Sequence, residues 1–324
     1  MEPTERPPFT LVVGAGRSGT SVLRTVLDGH SQLAVCHEGR FIHPLSRRRG
    51  RYERDGGFDV DALVADLAAD PAVSGNLGLD PVDLRHALGP TPPTDYPDAV
   101  RRVFAHWAAR HGKRRYGDKM PGYVLRIPAL ATLLPEARFV HIIRDGRDVA
   151  LSSMAIPGAE HDPVGLAIEW RRRVEAGRTA GDALGPTRYH EVRYEELVTD
   201  PAAPVAALCA FLDLPFEPEM LLVARRIENV PDKVRINPRH ARLAEPLSGG
   251  PRSWRTDMTP DDRGRFEWVA GDLLADLGYE PSGGRTTPST RAAAMVGRAR
   301  WQARRAGARL PGAVRRATRR SDAR

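Results

Sequence analysis

The sequence predicts an α/β protein: a doubly wound, mainly parallel sheet with helices on both faces and a P-loop-like turn after its first strand. Three observations predict it. Residues 9–27 read as strand, glycine loop and helix start in immediate succession. Apolar, β-branched runs then alternate with helical patterns along the chain, the signature of crossover connections between parallel strands. Finally, Glu38, Lys119 and Arg144 join the glycine loop at the ends of predicted strands, where open α/β sheets bind ligands.

In the opening run, Leu11, Val12 and Val13 suit a buried strand. Gly14, Gly16 and Gly19 admit a tight turn, and Val22, Leu23, Val26 and Leu27 recur at helical spacing. A helix start offers backbone N–H groups and the positive end of the helix dipole, so this unit is an anion cradle. Residues 31–38 form a second short strand ending on an acid. Residues 41–58, rich in arginine and glycine, read as a mobile loop, in its functional reading an acceptor-side lid. From Val60 to Ala109 the pattern is helical with proline interruptions, Leu63, Val64 and Leu67 making one apolar face and Val100, Val103, Phe104 and Trp107 another. Tyr116 to Pro121 is a strand running into a loop, followed by a helix at 124–134. Phe139 to Ile143 is a strand leading into Arg144, with Asp145 placed to cap the next helix. A helix carrying Trp170, a strand at 187–194 and a helix at 205–212 follow. Residues 229–257 read as irregular loop, and 266–277 as a last amphipathic helix closed by Gly278.

The loop fits three chemistries to different degrees. As G-x-G-x-x-G it has Gly14, Gly16 and Gly19, with Glu38 about 20 residues on, as a dinucleotide fold requires. As G-x-x-x-x-G-K-(S/T) it has Gly14, Gly19 and Ser21, but Thr20 replaces the lysine that reaches the β- and γ-phosphates. In the third reading, Arg17, Ser18, Thr20 and Ser21 put a cation and three hydroxyls into the turn itself, which suits a phosphosulfate and crowds a dinucleotide.

These residues resemble the sulfotransferases that use 3′-phosphoadenosine 5′-phosphosulfate (PAPS), above all their tyrosylprotein-type and related bacterial branch. That family grips the 5′-phosphosulfate with an (R/K)-S-G-T-(T/S) loop, which Arg17, Ser18, Gly19, Thr20 and Ser21 match beside Gly16. The resemblance runs on through Glu38-Gly39-Arg40 and covers roughly residues 9 to 280. It implies an O-sulfotransferase moving a sulfuryl group from PAPS to an acceptor hydroxyl by in-line displacement, leaving PAP. It further implies that Arg144 and Ser152 bind the donor's 3′-phosphate, that Glu38 is the general base and that Lys119 stands near the leaving oxygen. Tyr194 falls where the family places a ring by the adenine. Arg252 and Trp254 resemble the loop that closes on the donor, although the Arg-Lys-Gly signature of the cytosolic branch is absent. Arg40 and His37 are expected at the acceptor. His37 rivals Glu38 as base, and strand alternation turns the two side chains apart. The alternatives are a divergent P-loop kinase or NTPase and a non-catalytic nucleotide-binding protein.

The 324 residues suffice for a sizeable core, and the apolar and charged fractions of 41% and 28% are ordinary for a soluble protein. The net charge of +8 is local: residues 291–324 hold eleven arginines against one aspartate, about +10, leaving the rest near −2. Specific nucleic-acid binding is therefore not expected of the folded part. The expected organisation is a sulfotransferase domain over 1–280, a linker over 281–290 and a basic tail over 291–324. That tail is either disordered or an amphipathic helix making weak contact with anionic membrane. Two cysteines fit a reducing compartment, so a cytoplasmic location is expected, peripheral to the membrane if the tail binds it. No His/Cys/Asp cluster has metal-ligand spacing, so no metal is expected. The acceptor, whether small molecule, glycan or peptide tyrosine, is not encoded legibly.

Overall fold

The computed structural model describes residues 7–156, 158, 162–223, 227, 247, 253–283, 288, 291–292, 294–299 and 302. Its strands are β1 (Phe9–Gly14), β2 (Leu33–His37), the short β3 (Glu53–Arg54) and β4 (Gly57–Phe58), β5 (Arg115–Lys119), β6 (Ala137–Ile143) and β7 (Tyr189–Arg193). Five of these form one sheet in the order β2-β5-β1-β6-β7, every pairing parallel. Parallel sheets need both faces covered, and β1 is buried along its whole length. Its residues alternate between two apolar clusters: Leu11 and Val13 join one, with Phe104 and Phe139, and Val12 joins the other, with Leu23, Val26, Val140 and Ile142.

Contacts divide the chain into two units, residues 1–144 with 173–249 and residues 145–172 with 250–324. The sheet and both clusters belong to the first. Its helices are α1 (Thr20–Asp28), α2 (Ile42–Ser46), α3 (Val60–Ala68), α4 (Pro81–Leu88), α5 (Tyr96–Arg110) and α6 (Ile127–Leu133). In the second unit, α7 (Gly146–Met154) is capped by Asp145, whose carboxylate accepts from the Arg147 amide at 2.9 Å. The fully buried Arg147 side chain pairs with Asp145 and Glu267 and lies 3.5 Å over the Trp254 ring. The last long helix of this unit, Pro260–Asp276, starts earlier than its apolar pattern predicts because Thr259 caps it through the Asp262 amide. The helix carrying Trp170 is α8 (Pro163–Leu184); after β7, α9 (Tyr194–Thr199) and α10 (Ala202–Phe211) return to the first unit. Among the described residues no helix is long and apolar enough to cross a membrane. Most of the expected basic tail lies outside the described residues.

One expectation is overturned. Residues 41–58 are anchored to the core at a few positions rather than forming an irregular loop, while 47–51 and 54–57 stay exposed. Phe41, Ile42 and Tyr52 are buried. The Tyr52 hydroxyl donates to Asp66 at 2.7 Å, and the Tyr96 hydroxyl donates to the Ile42 carbonyl at 3.0 Å. The arginines dominate the composition of this segment, but its few aromatic and branched side chains decide its structure.

Strand β2 is an edge of the sheet, and α1 covers that edge with charge. Arg24 Nε donates to the Val35 carbonyl at 2.6 Å, while Asp28 accepts from the Val35 amide at 2.8 Å. The two side chains thus occupy the hydrogen-bonding groups that a further strand would use, and they pair with each other at 3.3 Å in the interior. Lys113 approaches the same carboxylate at 3.7 Å. Arg24→Met leaves Asp28 buried without its nearest cation. The expected loss is about 3 kcal/mol, read as a lower urea midpoint with an unchanged m-value.

Candidate active site

The loop between β1 and α1 is shaped for an anion. Arg17 adopts a left-handed φ of 71°, a conformation costing a non-glycine residue about 1–2 kcal/mol. Gly19 follows with φ 92°, and a β-carbon there would lie 2.3 Å from the Tyr194 ring, so only glycine fits. Helix α1 begins with no side-chain cap and no acid in its first turn among the described residues. Ser18 is buried, and its hydroxyl has no hydrogen-bond partner among the described residues. Thr20 is buried, Ser21 and Arg17 are half-buried, and Gly16 is exposed. A buried orphan hydroxyl at an uncapped helix start, beside a cation, fits an anionic phosphoryl or sulfonyl group.

Across the sheet, Lys119 ends β5 between β1 and β2, in register with Val12 and His37. Its side chain is 1% exposed, and Nζ donates to Glu38 Oε1 at 2.8 Å. The other Glu38 oxygen accepts from Arg40 at 2.7 Å. Burial alone would raise the Glu38 carboxyl. The Lys119 charge and hydrogen bond, with Arg40 adding to them, outweigh it and bring the pKa down to about 2. Burial pulls the Lys119 ammonium below its ordinary range, against the attraction of Glu38.

The strand-alternation argument for Glu38 and His37 does not apply here. β2 ends at His37, and Glu38 has φ 60°, outside extended geometry. His37 stays close enough for its charge to favour ionised Glu38. Arg144, directly after β6, places its guanidinium 4.4 Å from the Tyr194 ring, so Gly19, Tyr194 and Arg144 form one packed contact. Ser152 and Trp254 belong to the second unit. Ser152 is half-buried on α7, and Trp254 is buried, its amide donating to Asp148 at 2.8 Å. Arg252 lies outside the described residues. Among those described, no group of three His, Cys, Asp or Glu is arranged to hold a metal.

Two neighbours of Glu38 escaped the sequence reading. Asp118 is fully buried, and its Oδ1 accepts from the Gly39 amide at 2.9 Å. Asn76 donates to the Glu38 carbonyl at 2.9 Å from the π-helical turn Val73–Leu77. The signal for Asp118 was an acid inside a buried strand, between a glycine and a lysine. Asn76 carried no signal, because a lone asparagine in a helical pattern is unremarkable. Burial pushes the Asp118 carboxyl up to about 7, and the Gly39 amide and Lys119 only partly offset it.

An anion loop at a helix start, with a buried lysine paired to a half-buried carboxylate at the carboxyl ends of the neighbouring parallel strands, is an arrangement suited to an α/β enzyme that handles an anionic group. A family model described as the sulfotransferase family matches residues 8–218, and the chain belongs to that family of enzymes. It is 26% identical over 299 residues to protein-tyrosine sulfotransferase 1 of Danio rerio, covering 85% of this chain and 73% of that protein. It is 23% identical to protein-tyrosine sulfotransferase A of Caenorhabditis elegans over 66% of this chain, which spans about half, 52%, of that relative. The fold is shared with the sulfotransferase domain of the Synechococcus PCC 7002 olefin synthase: TM-score 0.55, 19% identity, 86% of this chain and 98% of that one.

Asp118 also sets a pH dependence of stability. Its folded pKa of about 7 exceeds the ordinary 3.8, so the folded state holds a proton that the unfolded state releases as pH rises from 4 to 7. Stability falls across that window. Asp118→Asn removes the titration, so the variant gains on the wild type by an amount on the order of a few kcal/mol between pH 4 and 7. Urea melts at pH 4, 5.5 and 7.5 measure this, and a pH-independent difference would refute it.

Proposed function

We propose that this chain transfers a sulfuryl group from PAPS to an acceptor hydroxyl. The observation that carries the proposal is the Lys119–Glu38 pair at 2.8 Å, one cation and one base side by side at the sheet's carboxyl edge. Arg17, Ser18, Thr20 and Ser21, with the amides around Gly16 and Gly19, are the groups to hold the 5′-phosphosulfate. The uncapped α1 start and the orphan Ser18 hydroxyl support that assignment. Arg144 is assigned to the 3′-phosphate, and Tyr194, whose ring it stacks on, to the adenine.

Glu38 then accepts the proton as the acceptor oxygen bonds to sulfur and the bond from sulfur to the bridging oxygen breaks. Lys119 meets the charge left on that oxygen. A carboxylate held near pKa 2 is ionised at every working pH but is a weak base. Sharing Lys119 with the developing charge raises the basicity of Glu38 as the proton is taken. Arg40, exposed and bonded to Glu38, orients that carboxylate and meets the acceptor, with His37 beside it. The relatives' names point to protein tyrosine as one acceptor class, and a hydroxyl on a small molecule or glycan meets the same chemistry.

Labelled PAPS incubated with a metabolite and peptide extract is expected to yield a sulfonate mass gain on one acceptor class. Magnesium-dependent ATP turnover without such a product would overturn the proposal. With that acceptor, Glu38→Gln lowers kcat by about 10²–10⁴-fold while PAP affinity stays intact; a variant at wild-type rate moves the base elsewhere. PAP raises the melting temperature well above the effect of 5′-AMP, and Arg144→Ala costs about 1.5–3 kcal/mol of PAP binding. Calorimetry giving equal affinity for PAP and 5′-AMP contradicts the 3′-phosphate assignment.

A further inference from the structure

The peptide unit that joins Glu38 to Gly39 is held from both of its polar ends by side chains. Its carbonyl accepts from Asn76 Nδ2 at 2.9 Å, and its N–H donates to Asp118 Oδ1 at 2.9 Å. Glu38 on one side has φ 60° and Arg40 on the other has φ 63°. Two such left-handed residues astride one glycine persist only where the surroundings over-determine them. The bond from the Glu38 amide to the Lys119 carbonyl, 2.9 Å, merely continues the β2–β5 ladder and does not fix the next peptide plane. We propose that Asp118 and Asn76 are positioning residues that lock the Glu38–Gly39 peptide against rotation and so keep the Glu38 carboxylate on the Lys119 ammonium.

Packing supports the assignment. A β-carbon on Gly39 would sit 3.2 Å from the Phe104 ring and 3.4 Å from Asp118 Oδ2, so the peptide is pressed directly onto the carboxyl that binds it. A carboxyl in so apolar a place is costly unless it is used. An apolar side chain would pack against Phe104 as well and would leave the Gly39 N–H unpaired. Asn76 reaches Glu38 from a π-helical turn, a rare backbone form that often marks functional positions. If the peptide rotates, Glu38 relaxes toward extended geometry and its carboxylate leaves Lys119. Neither Asp118 nor Asn76 need touch donor or acceptor for this to matter.

The inference rests on Glu38 being the base, and the test separates the two. Asp118→Ala, Asp118→Asn and Asn76→Ala are compared with wild type and Glu38→Gln in three measurements: kcat with the labelled acceptor, PAP affinity, and hydrogen exchange of the Gly39 amide, which needs no acceptor. Asp118→Ala and Asn76→Ala are expected to lower kcat by about 10- to 100-fold, to leave PAP affinity within about twofold, and to speed Gly39 exchange. Asp118→Asn, which keeps an acceptor oxygen for the Gly39 N–H, is expected to restore both rate and protection. Unchanged Gly39 exchange in Asp118→Ala, or an asparagine variant as slow as the alanine one, overturns the proposal. Should Asp118→Ala fail to fold, Asn76→Ala decides: its side chain is only half-buried, and full kcat with unchanged exchange refutes the lock. Slow Glu38→Gln with fast clamp variants removes only the positioning role, whereas fast Glu38→Gln removes the base reading itself.

Discussion

A lysine ammonium 1% exposed at the end of a buried strand needs a counter-charge within reach, and the site follows from that requirement. Lys119 lies on β5 between β1 and β2, so its partner has to come from the end of one of those strands. β1 ends in the anion loop and has no acid to give. β2 ends at His37, and the next residue turns out of the strand to bring Glu38 onto the ammonium. Lys119 and Glu38 therefore stand at the carboxyl edge beside the anion loop, since the parallel register carries β1, β2 and β5 to that edge together.

The same solution, an interior charge set against an opposite one, recurs elsewhere in the molecule. Arg24 and Asp28 take the place of a missing sixth strand along β2, which keeps an edge of the sheet from pairing with another chain. In the second unit Arg147 is buried against two carboxylates and an indole ring. Breaking any of these pairs leaves a charge in the interior, which costs far more than the pair itself contributes.

The proposed chemistry draws on this economy. The Lys119 charge and hydrogen bond favour ionised Glu38 at rest, against the burial that opposes charge on both groups. As charge builds on a leaving oxygen, the ammonium divides its attraction and the carboxylate becomes a better base at that moment. The geometry of one turn, Glu38 to Arg40, decides whether the two groups stay in register.

By itself the sequence determined the order of strands and helices in the sheet-forming part, the anion loop and the family. These rest on local signals: β-branched runs, glycines at a turn, hydroxyls and an arginine at a helix start. Glu38, Lys119 and Arg144 were legible because strand ends are legible. Segment 41–58 was misread because arginine count outweighed Phe41, Ile42 and Tyr52, whose burial depends on α5, distant in sequence. The pairing of Glu38 with Lys119 at 81 residues' separation, the left-handed turn that makes it, and the engagement of Asp118 and Asn76 were decided only by tertiary structure. Hydrogen bonds between residues far apart in the chain leave no periodicity and no spacing to read.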